Sequence, residues 1–85
     1  MELSELRVLI LDDEPAALAA SAEKAALYVP EENILRASSA AELVRLLNAA
    51  PVDLAFLDVE MPDTDGFSAA DYIRSVRPET KIGGK

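Results

Sequence analysis

Cysteine and histidine are both absent from this 85-residue chain, and only 8 basic residues stand against 16 acidic ones. Without cysteine there are no disulfide staples, no thiolate zinc site and no cysteine nucleophile. Without histidine, every constellation that needs an imidazole is lost as well. Serine triads and zinc enzymes are therefore excluded. A net charge of -8 has the wrong sign for neutralising the phosphates of nucleic acid or anionic lipid, so no nucleic acid is expected as a partner of this chain alone. No uncharged stretch approaches the roughly 20 apolar residues of a membrane span, and the first residues, Met1-Glu2-Leu3-Ser4-Glu5, lack the basic start and apolar core of a signal peptide. A cytoplasmic protein without a membrane partner is the expectation. What is present is a globular composition, 51% hydrophobic and 28% charged, in a chain long enough for one small domain. At this size folding buries only about 60 to 65% of the surface that the unfolded chain exposes.

The pattern along the chain alternates between two periods. Arg7-Val8-Leu9-Ile10-Leu11 is an apolar run of the kind that a strand buried on both faces shows, and it stops at three acids, Asp12, Asp13 and Glu14. Pro15 is tolerated in a first helical turn, and the alanine-rich segment from Ala16 to about Tyr28 reads as a helix with its inner face at Leu18, Ala22, Ala25 and Val29. Pro30 breaks it. Asn33 to Ala37 is compatible with a short second strand, and Ser39-Ala40-Ala41-Glu42 is a capping box opening a second helix that buries Leu43, Leu46, Leu47 and Ala50. Val52 to Asp58 is a third strand, again ending in a carboxylate. A third helix runs from near Gly66 to Val76, with Phe67, Ala70 and Ile73 inward. Lys81-Ile82 begins like a strand and dissolves into glycine, which predicts a domain over residues 1–82 and a flexible tail over 83–85. Such alternation with short connections belongs to an α/β class with a parallel sheet and right-handed crossovers.

In an open parallel sheet, ligands meet the chain outside the carboxyl ends of the strands. Here those ends are acidic. If the strand order is 2-1-3, the first and third strands are neighbours about 5 Å apart, and Asp12, Asp13 and Asp58 converge in one crevice. Three carboxylates so placed repel one another unless a cation relieves them, and a hard, all-oxygen donor set suits magnesium or manganese. The plainer alternative is that Asp12, Asp13 and Glu14 only cap the first helix against its dipole, with Asp58 doing the same for a turn.

Two motifs together carry a resemblance. Leu9-Ile10-Leu11-Asp12-Asp13-Glu14-Pro15 is one. The other is Asp53-Leu54-Ala55-Phe56-Leu57-Asp58-Val59-Glu60-Met61-Pro62-Asp63-Thr64-Asp65-Gly66. They resemble the receiver domain of two-component response regulators. The resemblance implies a flavodoxin-like sheet and makes Asp58 the phospho-acceptor. It makes Asp13 a direct Mg2+ ligand, Asp12 a ligand through water, and Asp58 and the backbone carbonyl of Glu60 further ligands. It gives Met61 and Pro62 a role in shaping the loop, and Gly66 the turn into the third helix. It also implies a sensor histidine kinase as phosphodonor, with the receiver catalysing transfer to its own aspartate. Whether the chain counts as an enzyme is left open by that division of labour.

The match covers the whole chain, yet the chain offers about three βα units, where the family has five strands in the order 2-1-3-4-5. In the family, strand four ends in a Ser or Thr that bonds the phosphoryl group and strand five in a Lys that pairs with it. After Ile82 this sequence reads Gly83-Gly84-Lys85. A shortened receiver is the reading, with strand three as an exposed apolar edge and one face of the first helix under-covered. Both features predict a homodimer through strand three or the 81–85 tail. The competing reading is a non-catalytic receiver remnant, used as an interaction or dimerisation module. A phosphatase of the aspartyl-nucleophile type requires a second Asp two residues after the nucleophile, and position 60 is Glu.

Overall fold

The computed structural model describes residues 5–58 and 68–84. Strand β1 is Val8–Leu11, and all four of its residues are buried. Helix α1 follows over Pro15–Ala25, and a short 3-10 turn at Glu31–Asn33 leads into β2, Ile34–Ala37. Helix α2 is Ala40–Ala49, β3 is Leu54–Leu57, α3 is Ala69–Val76 and β4 is Lys81–Gly84. The sheet has the order β2-β1-β3-β4 with every pair parallel. The expected α/β class and the 2-1-3 order of a receiver-like sheet are both present, with a fourth strand added.

That fourth strand corrects two expectations. Gly83 and Gly84 do not dissolve the strand; they pair with Phe56 and Leu57 in the ladder. Strand β3 is consequently an inner strand, and the sheet edges are β2 and β4. Glycine has little strand preference of its own, and here the partner supplies what the sequence lacks. The Phe56 ring lies over Gly83, so close that a Cβ added at Gly83 would stand 3.3 Å from Phe56 Cδ1 and Cε1. Lys85 lies outside the described residues.

Alternation along the strands divides the core in two. Leu9, Leu11 and Ala55 face α2 and α3 and form one cluster with Leu43, Leu47, Val52 and Ile73. Val8, Ile10 and Ile34 face α1 and cluster with Ala22 and Val29. The predicted inner positions of α1, Leu18, Ala22, Ala25 and Val29, all join that second cluster. The helix itself stops at Ala25, three residues before the predicted end. In α3 the residues beside Ile73 are Ala69 and Tyr72, whereas Ala70 was expected. Phe67 and Gly66 lie outside the described residues.

Helix starts are set by side chains. Ser39 Oγ accepts the Glu42 N–H at 3.2 Å, while Glu42 Oε1 reaches back to the backbone N–H and hydroxyl of Ser38, at 2.7 and 2.6 Å. The box predicted at Ser39–Glu42 is thus one residue wider on its return arm. Ser68 caps α3 through the Asp71 N–H. At the amino ends of the strands, Asp53 joins three strands: its Oδ2 accepts the Arg7 N–H at 2.9 Å, its N–H donates to the Arg7 carbonyl, and its carbonyl accepts the Lys81 N–H at 3.0 Å. Thr80 secures the same corner, its hydroxyl donating to the Val52 carbonyl at 2.6 Å.

Candidate functional site

The register fixes which side chains share the carboxyl end of the sheet. Leu11 pairs with Ala37 on one side and Leu57 on the other, so the residues that follow β1 and β3 emerge at one level. The Asp58 N–H donates to the Leu11 carbonyl at 3.0 Å, and the Asp12 N–H to the Ala37 carbonyl at 3.1 Å, extending the ladder by one residue in each case. Side chains at positions 12 and 58 therefore leave adjacent strands together.

Asp12, Asp13 and Asp58 each bring a carboxylate oxygen within 4.8 Å of the others. Asp12 is buried, with 1% of its surface exposed; Asp58 is half-buried and Asp13 exposed. The predicted convergence is present for all three. Glu60, whose backbone carbonyl was expected as a further ligand, lies outside the described residues, as do Met61, Pro62 and Gly66.

Helix capping and the acidic cluster turn out to involve different residues. Glu14 takes the capping role, its carboxylate accepting the N–H groups of Ala16 at 3.3 Å and Ala17 at 2.8 Å. Asp12 Oδ1 accepts the Glu14 N–H at 3.0 Å, a bond from a side chain to the backbone two residues on that folds the strand end into the helix start. The sequence reading missed this contact, although an Asp two residues before a cap is the signal that could have raised it. Its effect is to fix the Asp12 carboxylate within the crevice, while Glu14 points away to serve the helix.

The donor set fits a small hard cation. Neighbouring oxygens around one magnesium at about 2.1 Å stand about 3 Å apart and opposite ones about 4.2 Å, so shifts of about 1 Å per carboxylate bring this group into coordination range. With one ligand buried and one exposed, such an ion would be open to solvent on one side only. The carboxylate at the end of an inner strand is, by the same placement, accessible to a reactant arriving from outside the sheet.

Comparison with known proteins agrees with this architecture. The family model of the response regulator receiver domain matches residues 8–83. The Fimbriae Z protein of Salmonella typhimurium is 37% identical over 49 residues, covering 58% of this chain and 23% of that protein. The autoinducer 1 sensor kinase/phosphatase LuxN of Vibrio campbellii is 38% identical over 50 residues, 59% of this chain and 6% of its own length. A probable cyclic di-GMP phosphodiesterase of Vibrio cholerae is 32% identical over 73 residues, 86% of this chain and 16% of that protein. The chain thus spans less than a quarter of each of these relatives. A family match over nearly every residue, on a parallel sheet of the order expected and with the acids gathered at its carboxyl end, makes this chain a member of the response regulator receiver domain family.

Proposed function

We propose that this receiver domain accepts a phosphoryl group on Asp58, with Mg2+ held by Asp12, Asp13, Asp58 and the backbone carbonyl of Glu60. The observation that carries this reading is the approach of the three carboxylates to within 4.8 Å at the ends of adjacent strands. Asp58 is the acceptor because it alone continues the strand that leads into Met61-Pro62 and Asp65-Gly66. When bound, the ion neutralises charge on the transferring phosphoryl group. The chain's own residues do the rest. Asp58 presents a carboxylate oxygen for in-line attack, and Asp12 is held in place beside the reaction by the Glu14 N–H. Asp13 occupies the solvent side, where the donor enters. The O–P bond to Asp58 forms as the bond from phosphorus to the donor breaks, and the leaving group departs with its electron pair.

These 85 residues contain no histidine, so the phosphoryl donor lies outside them; a phosphohistidine of a sensor kinase is the donor in this reading, and the cytoplasm the setting. Positions 83 and 84 are glycine and carry no hydroxyl to meet the phosphoryl group. If a strand-end hydroxyl and a lysine each act like one preorganised donor, an 85-residue polypeptide lacking both is slowed by about 10² to 10³ for each. Incubation with Mg2+ and a small phosphodonor should give a slow, acid-stable and hydroxylamine-labile mass increase that Asp58→Asn abolishes. A modification that survives in Asp58→Asn would sink the assignment. A folded protein never modified under any donor would favour the non-catalytic interaction module.

A further inference from the structure

Three acids follow β1, and two of them, Asp12 and Asp13, converge with Asp58. The third, Glu14, is exposed and is not part of that group. It is nevertheless joined to the crevice on one side and to α1 on the other. Its backbone N–H donates to Asp12 Oδ1 at 3.0 Å, while its own carboxylate accepts the Ala16 N–H at 3.3 Å and the Ala17 N–H at 2.8 Å. Its carbonyl accepts the Leu18 N–H at 2.9 Å. A site acid and the start of a helix thus meet in one residue.

We propose that Glu14 is a positioning residue for Mg2+, whose carboxylate sets the affinity for the ion without touching it, by fixing the backbone that holds Asp12; the inference rests on the Mg2+ site proposed above. Residue 14 is extended, with φ -100° and ψ 114°. Pro15 favours that conformation, but the extended basin before a proline is about 40° wide in ψ. The cap bonds select within it. Leu18, Ala22 and Ala25 pack α1 against the sheet, so two bonds from one carboxylate to the first turn determine where residue 14 stands relative to the helix. The direction of its N–H follows. That N–H in turn orients a carboxylate on a residue only 1% exposed, where water does little to restore a lost orientation. Removing a group that orients a metal ligand lowers affinity by about 10- to 100-fold. Here the effect passes through a cap and a peptide plane, which places it near the lower figure.

Two uncharged replacements separate the cap from the charge of Glu14. Alanine provides no acceptor, whereas serine is an ordinary N-cap that accepts an N–H of the second or third helical residue. In calorimetric titration with Mg2+, the dissociation constant should rise about tenfold in Glu14→Ala and stay within about threefold of wild type in Glu14→Ser. Ala20→Gly, at an exposed position of α1, weakens the helix to a similar degree and should leave the Mg2+ affinity unchanged. Far-UV circular dichroism checks folding of each variant. Without metal, hydrogen exchange of the residue 14 amide, corrected for intrinsic rates, should be faster in Glu14→Ala than in wild type or Glu14→Ser. Equal losses of affinity in Glu14→Ala and Glu14→Ser overturn the inference in favour of simple charge attraction. Unchanged affinity in Glu14→Ala, or a loss that Ala20→Gly matches, also overturns it. In those outcomes wild type binds Mg2+ and the site stands; a wild type that binds none overturns the site and the inference together.

Discussion

Replacing Thr80 by valine tests how β4 is held. The side chain is 7% exposed and its hydroxyl donates to the Val52 carbonyl at 2.6 Å, tying the residue before β4 to the segment before β3. Valine keeps the shape and branching but removes the donor, so the change isolates the hydrogen bond from packing. Loss of a buried bond that leaves its acceptor without this donor costs about 1 to 3 kcal/mol. Total stability for a chain of this size is about 4 to 13 kcal/mol, so the loss is a substantial fraction. With a urea slope near 1 kcal/mol/M for a small protein, the unfolding midpoint falls by about 1 to 3 M. Far-UV circular dichroism is the suitable probe, since the chain has no tryptophan. Thr80→Ser, which keeps the hydroxyl, should recover most of the loss. Amide exchange at Ile82 and Gly83 should accelerate in Thr80→Val, because these residues belong to the strand that the bond secures. A midpoint within about 0.3 M of wild type would show that the ladder to β3 alone fixes β4, and would refute the reasoning.

Other outcomes follow from the site and the helix caps. Asp13→Asn should abolish Mg2+ binding in calorimetry while leaving the melting curve intact, because Asp13 is exposed; Asp12→Ala should lower stability as well, since Asp12 is buried and accepts the Glu14 N–H. The Ser38 hydroxyl, and then its backbone N–H, hold the Glu42 carboxyl below its usual 4.5. Its bonds therefore contribute stability that is fully present above the unfolded value and is lost as pH falls through the lowered folded value. Thermal melts should show Glu42→Gln less stable than wild type at neutral pH, with the difference shrinking as pH is taken below 4.5.

Much of this arrangement was legible in the sequence where a single residue type decides the outcome. The apolar run of β1 ending in Asp12 and Asp13, and the run ending in Asp58, identify two adjacent strand ends because a buried parallel strand permits few polar residues until it emerges. Leu43 and Leu47 were likewise readable from helical spacing, and both are fully buried. Strand β4 was not. Gly83 and Gly84 carry no side chain to reveal alternation, and their pairing depends on Phe56, 27 residues earlier than Gly83, lying over the gap. Helix α1 was read too long because alanine and leucine favour helix equally on both sides of Ala25. The turn at Ala26–Tyr28 is fixed instead by bonds such as Tyr28 N–H to the Ala25 carbonyl. The separation of roles between Glu14 and Asp12 was likewise hidden. Three consecutive acids look alike until the backbone direction assigns one to the helix and another to the crevice.

The bonds gathered at Asp53 give the amino end of the sheet a spine. Strands β1, β3 and β4 are bound together there, while Asp12 and Asp58 lie at the opposite margin, five residues on from Arg7 and Asp53 and about 16 Å away. A rotation of about 3° between β1 and β3 about that spine moves the carboxylates relative to one another by about 0.9 Å, on the scale that separates their present spacing from the coordination shell of a small ion. The ladder holds the acids in line at that margin, with the Asp58 N–H on the Leu11 carbonyl and the Asp12 N–H on the Ala37 carbonyl, so closing on a small ion asks for a slight twist and no change of backbone partner.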